Sequence, residues 1–133
     1  MTFDEIKEGD APEALTMGPI TRTDIVRYQG ASGDMNPVHH DEPFATGAGF
    51  AVPLGVGMYP ASVMHAWLGG WLGPENVRGC RTRWKSAYFP GDTLYFSGKV
   101  ASKDADTRQV QVEAVCTKQD GSVTMQGWMT FQF

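Results

Sequence analysis

The sequence of 133 residues predicts an α+β fold in which an antiparallel β-sheet wraps around one long central helix. Apolar residues recur at helical spacing between residues 57 and 72. Later stretches alternate apolar and polar residues as half-buried strands do, and Gly, Pro and Asp turn signals separate them. No repeat or linker divides the chain, so we expect one domain spanning residues 1–133.

The first predicted element is a short helix that begins near residue 24. Thr23 is expected to cap its N-terminus, and Asp24 suits the positive end of the helix dipole. Gly30 and Gly33 are expected to end the helix. Residues 34–48 contain two prolines and many polar side chains, so we expect an irregular segment that runs over the surface.

The central helix is predicted at about residues 57–72. Pro60 is tolerable there because it falls in the first turn, and Trp67 and Trp71, four residues apart, share one face. The segment contains no Asp, Glu, Lys or Arg. It is therefore expected to be buried on most sides by the surrounding sheet.

Four strands are predicted after the helix, at residues 77–89, 94–100, 110–116 and 123–133. They form an antiparallel meander with turns at residues 90–92, 102–106 and 120–121. A single sheet of this kind leaves its edges unpaired. Pairing two such sheets edge to edge would close them, so we expect a homodimer or a heterodimer with a related chain.

The composition argues against several classes of protein. A formal net charge of −4 and a pI near 5.2 are not the broadly basic signature of a nucleic-acid binder. Prolines and glycines interrupt the apolar residues 50–72, and the N-terminus has no basic-then-apolar leader, so neither a membrane span nor secretion is expected. Cys80 and Cys116 lie outside any CxxC or Cys/His spacing, which indicates core thiols in a reduced, cytoplasmic protein; a disulfide between the two is the alternative.

The stretch SGDMNPVHHDEPFA, residues 32–45, is the strongest candidate for chemistry. Asp34 and His39 are five residues apart, and the turn at Asn36-Pro37 between them would aim both side chains at one point. General acid–base chemistry needs two such groups within reach of one water molecule. The alternative is an ordinary turn, in which Asp34 bonds only to the neighbouring backbone.

A metal site is another interpretation of His39, His40, Asp41 and Glu42. Adjacent histidines project in different directions, and neither HExxH nor an HxH with a distant third ligand is present. We therefore expect no metal, and we expect His40, Asp41 and Glu42 to form a solvated face.

The motif resembles the signature of the (R)-specific enoyl-CoA hydratases and MaoC-like dehydratases, which have the hotdog fold. That signature runs aromatic, small residues, G-D-x-N-P-aliphatic-H, then a small residue, and the matching positions are Tyr28, residues 30–33, Asp34, Asn36, Pro37, Val38, His39 and Ala45. The resemblance implies that the motif lies on an overhanging segment before the central helix, and it extends over nearly the whole chain.

The resemblance also implies a mechanism without metal or redox cofactor. Asp34 and His39 match the residues that hold and activate a water, which adds to the β-carbon of a trans-2-enoyl thioester to give an (R)-3-hydroxyacyl thioester. Asn36 matches the residue that supports this pair. Gly57 matches the position whose backbone N–H bonds the thioester carbonyl oxygen, where negative charge develops. The thioester would be carried by coenzyme A or an acyl carrier protein.

Two positions depart from the family pattern. Val56 stands where many members have a His before the helix-start glycine, and His65 stands where related hydratases can carry a Ser. A histidine packed in an apolar helix and bonded to a carbonyl is the favoured interpretation of His65, over a supporting role in catalysis.

A basic run lies between residues 76 and 91, which include no acidic residue. Its members are Arg78, Arg81, Arg83 and Lys85. They form either a solvated outer face of a strand or a binding surface for the phosphates of coenzyme A or an acidic carrier protein.

Two other functions stay open. Thioesterases of the same fold usually place an Asp or Glu on or near the central helix, and residues 57–73 contain neither. A non-catalytic subunit of a heteromeric hydratase is disfavoured by the intact Asp34 and His39, although Val56 and His65 keep it in view.

Overall fold

The structure is a computed structural model that describes residues 1–133. It confirms the α+β prediction: five antiparallel strands form one sheet, and the longest helix packs against it. The strands are β1 (Leu15–Met17), β2 (Val77–Trp84), β3 (Leu94–Asp104), β4 (Gln109–Lys118) and β5 (Val123–Gln132). The helices are α1 (Arg22–Ser32), α2 (Glu42–Gly47) and α3 (Met58–Leu72), with 3-10 turns at Phe3–Glu5, Pro37–His39 and Pro74–Asn76.

The sheet has the strand order β1-β3-β4-β5-β2. The predicted meander accounts for β2 to β5, and β1 is an additional strand in the entry segment, where Leu15 lies opposite Phe96. With three residues, β1 is too short to show an alternating pattern. The two edges of the sheet are therefore β1, which is short, and β2, which has eight residues.

Helix α3 supplies the centre of the hydrophobic core. Met64, Leu68 and Leu72, at spacing i and i+4, are all buried against the sheet. The sulfur of Met64 occupies the space that a Cβ at Gly127 on β5 would need, so the glycine lets the helix approach the sheet closely. No helix of the protein combines the length and apolar character needed to cross a bilayer.

Helix α1 begins two residues earlier than predicted. Thr21, not Thr23, is the N-cap: its hydroxyl accepts from the Asp24 N–H, and the Asp24 carboxylate accepts from the Thr21 N–H at 2.8 Å. Both threonines precede apolar residues, but only Thr21 is three residues before an acidic side chain. Gly30 lies inside the helix, and Gly33, with a φ of 75°, ends it as predicted.

Three further details differ from the prediction. The segment 34–48 is not wholly irregular, because it contains the Pro37–His39 turn and helix α2, which Asp41 caps. Strand β2 ends at Trp84 rather than near residue 89. Both cysteines are free as expected, but only Cys116 is buried in the core, whereas Cys80 is exposed.

Candidate active site

Asp34 and His39 lie side by side on the segment between α1 and α2. The Nε2 atom of His39 is 3.8 Å from the Oδ2 atom of Asp34. The His39 side chain is 10% exposed and that of Asp34 is 41% exposed, so the pair lies where buried structure meets solvent. The structure therefore brings together the two side chains that the motif singled out.

A backbone contact fixes the orientation of the His39 ring. Its Nδ1 lies 2.9 Å from the carbonyl oxygen of Leu54. A carbonyl only accepts, so Nδ1 carries the hydrogen, and in the neutral ring Nε2 presents a lone pair towards Asp34. Two hydrogen-bond acceptors thus face each other across a gap too wide for a direct bond, which is usually shorter than about 3.2 Å.

Asn36 holds the turn between the two side chains. Its side-chain oxygen accepts from the Val38 N–H at 3.1 Å and caps the Pro37–His39 turn. Its own N–H donates to the Oδ1 atom of Asp34 at 3.2 Å. Asp34 therefore also makes the local backbone bond that an ordinary turn would show, and its Oδ2 atom is left to face His39.

Gln29 is a buried support for this loop that the motif did not indicate. Its side-chain Nε2 donates to the carbonyl oxygens of Asp34 at 2.8 Å and Asn36 at 3.2 Å, and Gln29 is only 2% exposed. Its Oε1 accepts from Nδ1 of His40 at 3.1 Å. His40 is exposed as predicted, but it is tied to this network. The sequence signal for this role is the position of Gln29, one helical turn after the buried Ile25 and so on the buried face of α1, where an amide needs hydrogen-bond partners.

A pocket of about 320 Å³ lies beside His39. Two stretches of chain form most of it: residues 54–60, which lead into α3, and residues 84–88, which follow β2. Its lining consists of His39, Leu54, Gly55, Gly57, Pro60, Trp84, Lys85, Ser86, Ala87, Tyr88, Thr124 and Met125. We call His39, Asp34 and the loop that carries them the loop wall, and residues 84–88 the strand wall.

Gly57 brings the N-terminus of α3 to this pocket. It is the N-cap of the helix, and no side chain caps it. The N–H groups of Gly57 and Met58 have no hydrogen-bond acceptor within the chain. Gly57, at the positive end of the helix dipole, thus lines the same pocket as His39.

Two aromatic side chains of the strand wall contact the residues just before α3. The indole N–H of Trp84 donates to the Gly57 carbonyl at 2.8 Å, and the Tyr88 hydroxyl donates to the Val56 carbonyl at 2.9 Å. A Cβ at Gly55 would overlap the Tyr88 ring. Sequence reasoning missed both aromatic residues; two glycines flanking one residue were the only hint of close approach.

His65 lies outside the pocket and faces β2. Its Nε2 is 3.3 Å from the Thr82 hydroxyl, so its partner is a side chain rather than the expected carbonyl. Burial lowers the pKa of His65 below its ordinary value of 6.5, which favours the neutral ring. His65 thus packs on the side of α3 that faces β2.

The four basic residues of β2 and its end do not share one surface. Lys85 lines the pocket. Arg81 lies over the ring of Trp128, 4.5 Å from its centre, on the face of the sheet away from α3, and Arg83 has the same orientation by strand alternation. Arg78 donates to the backbone carbonyls of Glu75 and Val77. Groups of three or more His, Cys, Asp or Glu side chains suited to a metal ion are not found.

Comparison with known proteins assigns the chain to a family. Residues 5–121 match the family described as MaoC like domain. The chain therefore belongs to the MaoC-like family, as the motif predicted, and it is an enzyme of the hydratase or dehydratase class.

An (R)-specific enoyl-CoA hydratase of Rhodospirillum rubrum is 30% identical over 130 residues, which cover 96% of this chain and 88% of that protein. Two solved structures have a similar fold. The (R)-hydratase from A. caviae involved in PHA biosynthesis has a TM-score of 0.85 at 22% identity and covers 97% of this chain and 98% of its own. The ChsH1-ChsH2 complex from Mycobacterium tuberculosis has a TM-score of 0.84 at 20% identity, and the match covers 96% of this chain and 98% of the matched chain. These likenesses confirm the hotdog fold.

Proposed function

We propose that the protein adds water reversibly to trans-2-enoyl thioesters and so interconverts them with (R)-3-hydroxyacyl thioesters. The observation that supports this most directly is the Asp34–His39 pair beside the pocket that contains Gly57. A 30% identical relative named for enoyl-CoA hydration supports the same substrate class.

The facing acceptors of Asp34 and His39 suit a water molecule. Water can donate one hydrogen to Oδ2 of Asp34 and the other to Nε2 of His39, which satisfies both atoms across their 3.8 Å gap. Its oxygen lone pairs then point away from the pair and into the pocket. A water held in this way is a nucleophile with its bases already in place.

Gly57 supplies the complementary donor. As the water oxygen bonds to the β-carbon, one proton of the water passes to the Asp34–His39 pair, and the electrons of the double bond move through the α-carbon to the thioester carbonyl oxygen. The Gly57 N–H, at the positive end of α3, stabilises that negative charge. When the enolate collapses, its α-carbon takes up a proton from the Asp34–His39 pair, and one molecule of water has been added.

The carrier and the oligomer complete the proposal. Lys85 is the one member of the basic run that lines the pocket, so we assign it the contact with the phosphates of coenzyme A or with an acidic carrier protein. The eight-residue edge strand β2 would pair with the same strand of a second hotdog chain. The likeness to the two-chain ChsH1-ChsH2 complex supports such a partner. Light scattering checks it, since a monomeric mass for the purified protein would contradict the pairing.

Crotonyl-CoA given to the purified protein tests the activity through loss of the conjugated-thioester absorbance. Asp34→Asn keeps the shape of the side chain and removes its charge, so hydration is expected to fall by about 10²–10⁴-fold, as expected for loss of an acid–base group. Hydration by His39→Ala is expected to fall by a similar factor. Asp106→Asn, in the exposed turn between β3 and β4, is the matched control and should hydrate normally.

Three other outcomes of this assay would point to a different function. Unchanged hydration in folded Asp34→Asn would overturn the assignment. Release of free CoA in place of hydration would favour a thioesterase. A wild-type chain that is inactive alone but active with a second hotdog chain would identify a subunit that needs its partner.

A further inference from the structure

The peptide unit between Val56 and Gly57 is held from both sides. Its carbonyl belongs to Val56 and accepts from the Tyr88 hydroxyl at 2.9 Å and from the Tyr59 N–H at 3.0 Å. Its N–H belongs to Gly57, which lines the pocket beside His39, and this N–H has no acceptor within the chain. The two ends of one amide thus connect a buried tyrosine to the proposed binding point of the thioester.

A buried tyrosine hydroxyl needs an acceptor wherever it lies, so this bond by itself would be ordinary packing. Its position distinguishes it. Tyr88 is 2% exposed, and its ring fills the space above Gly55, where a side chain would overlap it. Burial raises the pKa of Tyr88, so the phenol keeps its proton and stays a donor at any pH of assay.

We propose that Tyr88 is a positioning residue for hydration, which orients and polarises the Val56–Gly57 peptide so that the Gly57 N–H binds the thioester oxygen. This inference rests on the proposed function. A hydrogen bond accepted at the oxygen of an amide draws electron density from its N–H and makes it a stronger donor. The gain is greatest when the thioester oxygen carries negative charge, that is, in the transition state.

The inference also explains how the pocket works with valine at position 56. The Val56 side chain is 1% exposed and apolar, so it offers no polar group to the pocket. Position 56 instead contributes its backbone carbonyl, which accepts a hydrogen bond from the hydroxyl of Tyr88, 32 residues further along the chain.

Trp84 provides a comparison at the next peptide unit. Its indole N–H bonds to the Gly57 carbonyl, and the N–H of that amide belongs to Met58. Loss of this bond would leave the polarisation of the Gly57 N–H unchanged. The two aromatic residues, so close in the strand wall, should therefore affect a bound thioester differently.

Tyr88→Phe removes only the hydroxyl and tests the role. We expect kcat for crotonyl-CoA to fall about three- to tenfold, as for loss of one hydrogen bond, with little change in KM or in the shape of the pH profile. Tyr95→Phe is the matched control, because Tyr95 is exposed on β3 far from the pocket.

A spectroscopic signature separates positioning from simple loss of stability. Butyryl-CoA labelled with ¹³C at its thioester carbonyl lacks the double bond and cannot be hydrated, so its carbonyl band can be followed by infrared difference spectroscopy. Binding to the wild type should lower the band frequency. The lowering should be smaller in Tyr88→Phe and unchanged in Trp84→Phe. If Tyr88→Phe does not fold, wild type carrying 3-fluorotyrosine, whose phenol is more acidic, should lower the frequency further.

The possible outcomes distinguish the role of Tyr88 from the proposed hydratase activity on which it rests. An active wild type with unaltered kcat and carbonyl band in Tyr88→Phe, or an unaltered band in the fluorinated protein, would overturn only the role of Tyr88. An equal band change in Trp84→Phe would also overturn it, because it would indicate general loosening of the pocket. A wild type without hydratase activity would overturn both proposals.

Discussion

The loop wall, which reaches the pocket through His39, and the strand wall, which lines the same pocket, are built in different ways. In the loop wall, the contacts that orient Asp34 and His39 join residues at most 15 apart, such as Asn36 with Val38 and His39 with Leu54. In the strand wall, Trp84 and Tyr88 bond to backbone carbonyls 27 and 32 residues away. One wall is set largely by local turn chemistry, and the other by the packing of Trp84 and the loop after β2 against the start of α3.

This difference separates reacting groups from the groups that orient them. The loop wall contributes side chains that would exchange protons, and it is partly open to solvent. The strand wall contributes donors directed at backbone, and its Tyr88 is buried. Changes in the loop wall should therefore act mainly on the chemical step, whereas changes in the strand wall should act on binding or on polarisation.

The largest of the remaining effects is expected at Gln29, beneath the loop wall. Gln29→Leu removes the donor shared by the Asp34 and Asn36 carbonyls, so the free energy of unfolding should fall by about 1–3 kcal/mol. Because the loop loses its orientation, kcat/KM should fall about tenfold or more. Chemical denaturation and hydration of crotonyl-CoA measure the two effects.

Gln111→Leu is the control for that change. Gln111 also accepts a side-chain hydrogen bond, from Thr130, but on β4 far from the pocket. It should lose stability without an equivalent loss of kcat/KM at temperatures where it is folded. If both variants lose activity in proportion to stability alone, Gln29 has no particular role in orienting Asp34.

A smaller effect, on binding alone, is expected in the strand wall. Lys85→Ala should raise the KM for crotonyl-CoA by about three- to tenfold with kcat unchanged, and added salt should diminish the difference because it screens the charge. Crotonyl-pantetheine, which lacks the phosphates of CoA, should show no difference. Arg81→Ala is the control, since Arg81 lies over Trp128 on the other face; equal effects of the two variants would remove the assignment of Lys85.

The smallest effect is expected at His65, which belongs to neither wall. Burial lowers its pKa, so the unfolded chain binds a proton more readily than the folded one, and stability falls as the pH falls through the ordinary value of 6.5. His65→Gln can keep a hydrogen bond to Thr82 but cannot titrate. Its Tm should therefore decline less than that of the wild type between pH 7.5 and 5.5. Parallel curves would show that His65 makes no such contribution.

The turn that carries Asp34 and His39 was predictable because its backbone contacts join residues two apart in the sequence. Asp, Asn-Pro and His at fixed spacing specify both the turn and the side chains that it carries. The central helix and β3 to β5 were predictable for a similar reason, since their periodic patterns run over ten or more residues.

The strand wall and β1 were not predictable in this way. No local pattern indicates that Tyr88 meets Val56, because the meeting depends on how the loop after β2 returns over the start of α3. The three residues of β1 carry no period, and only their pairing with β3 makes them a strand. Contacts between residues distant in sequence have to be seen in the folded chain.

The packing of the Tyr88 ring on Gly55 makes the side chains tolerated at positions 55 and 88 depend on each other. Any side chain at 55 would collide with the ring, so an alanine there is tolerated only if residue 88 becomes smaller, and a shrunken residue 88 leaves a void unless residue 55 grows. Each single change is harmful while the pair of changes restores the volume. Across related chains, the two positions should therefore vary together, with glycine at 55 accompanying an aromatic residue at 88.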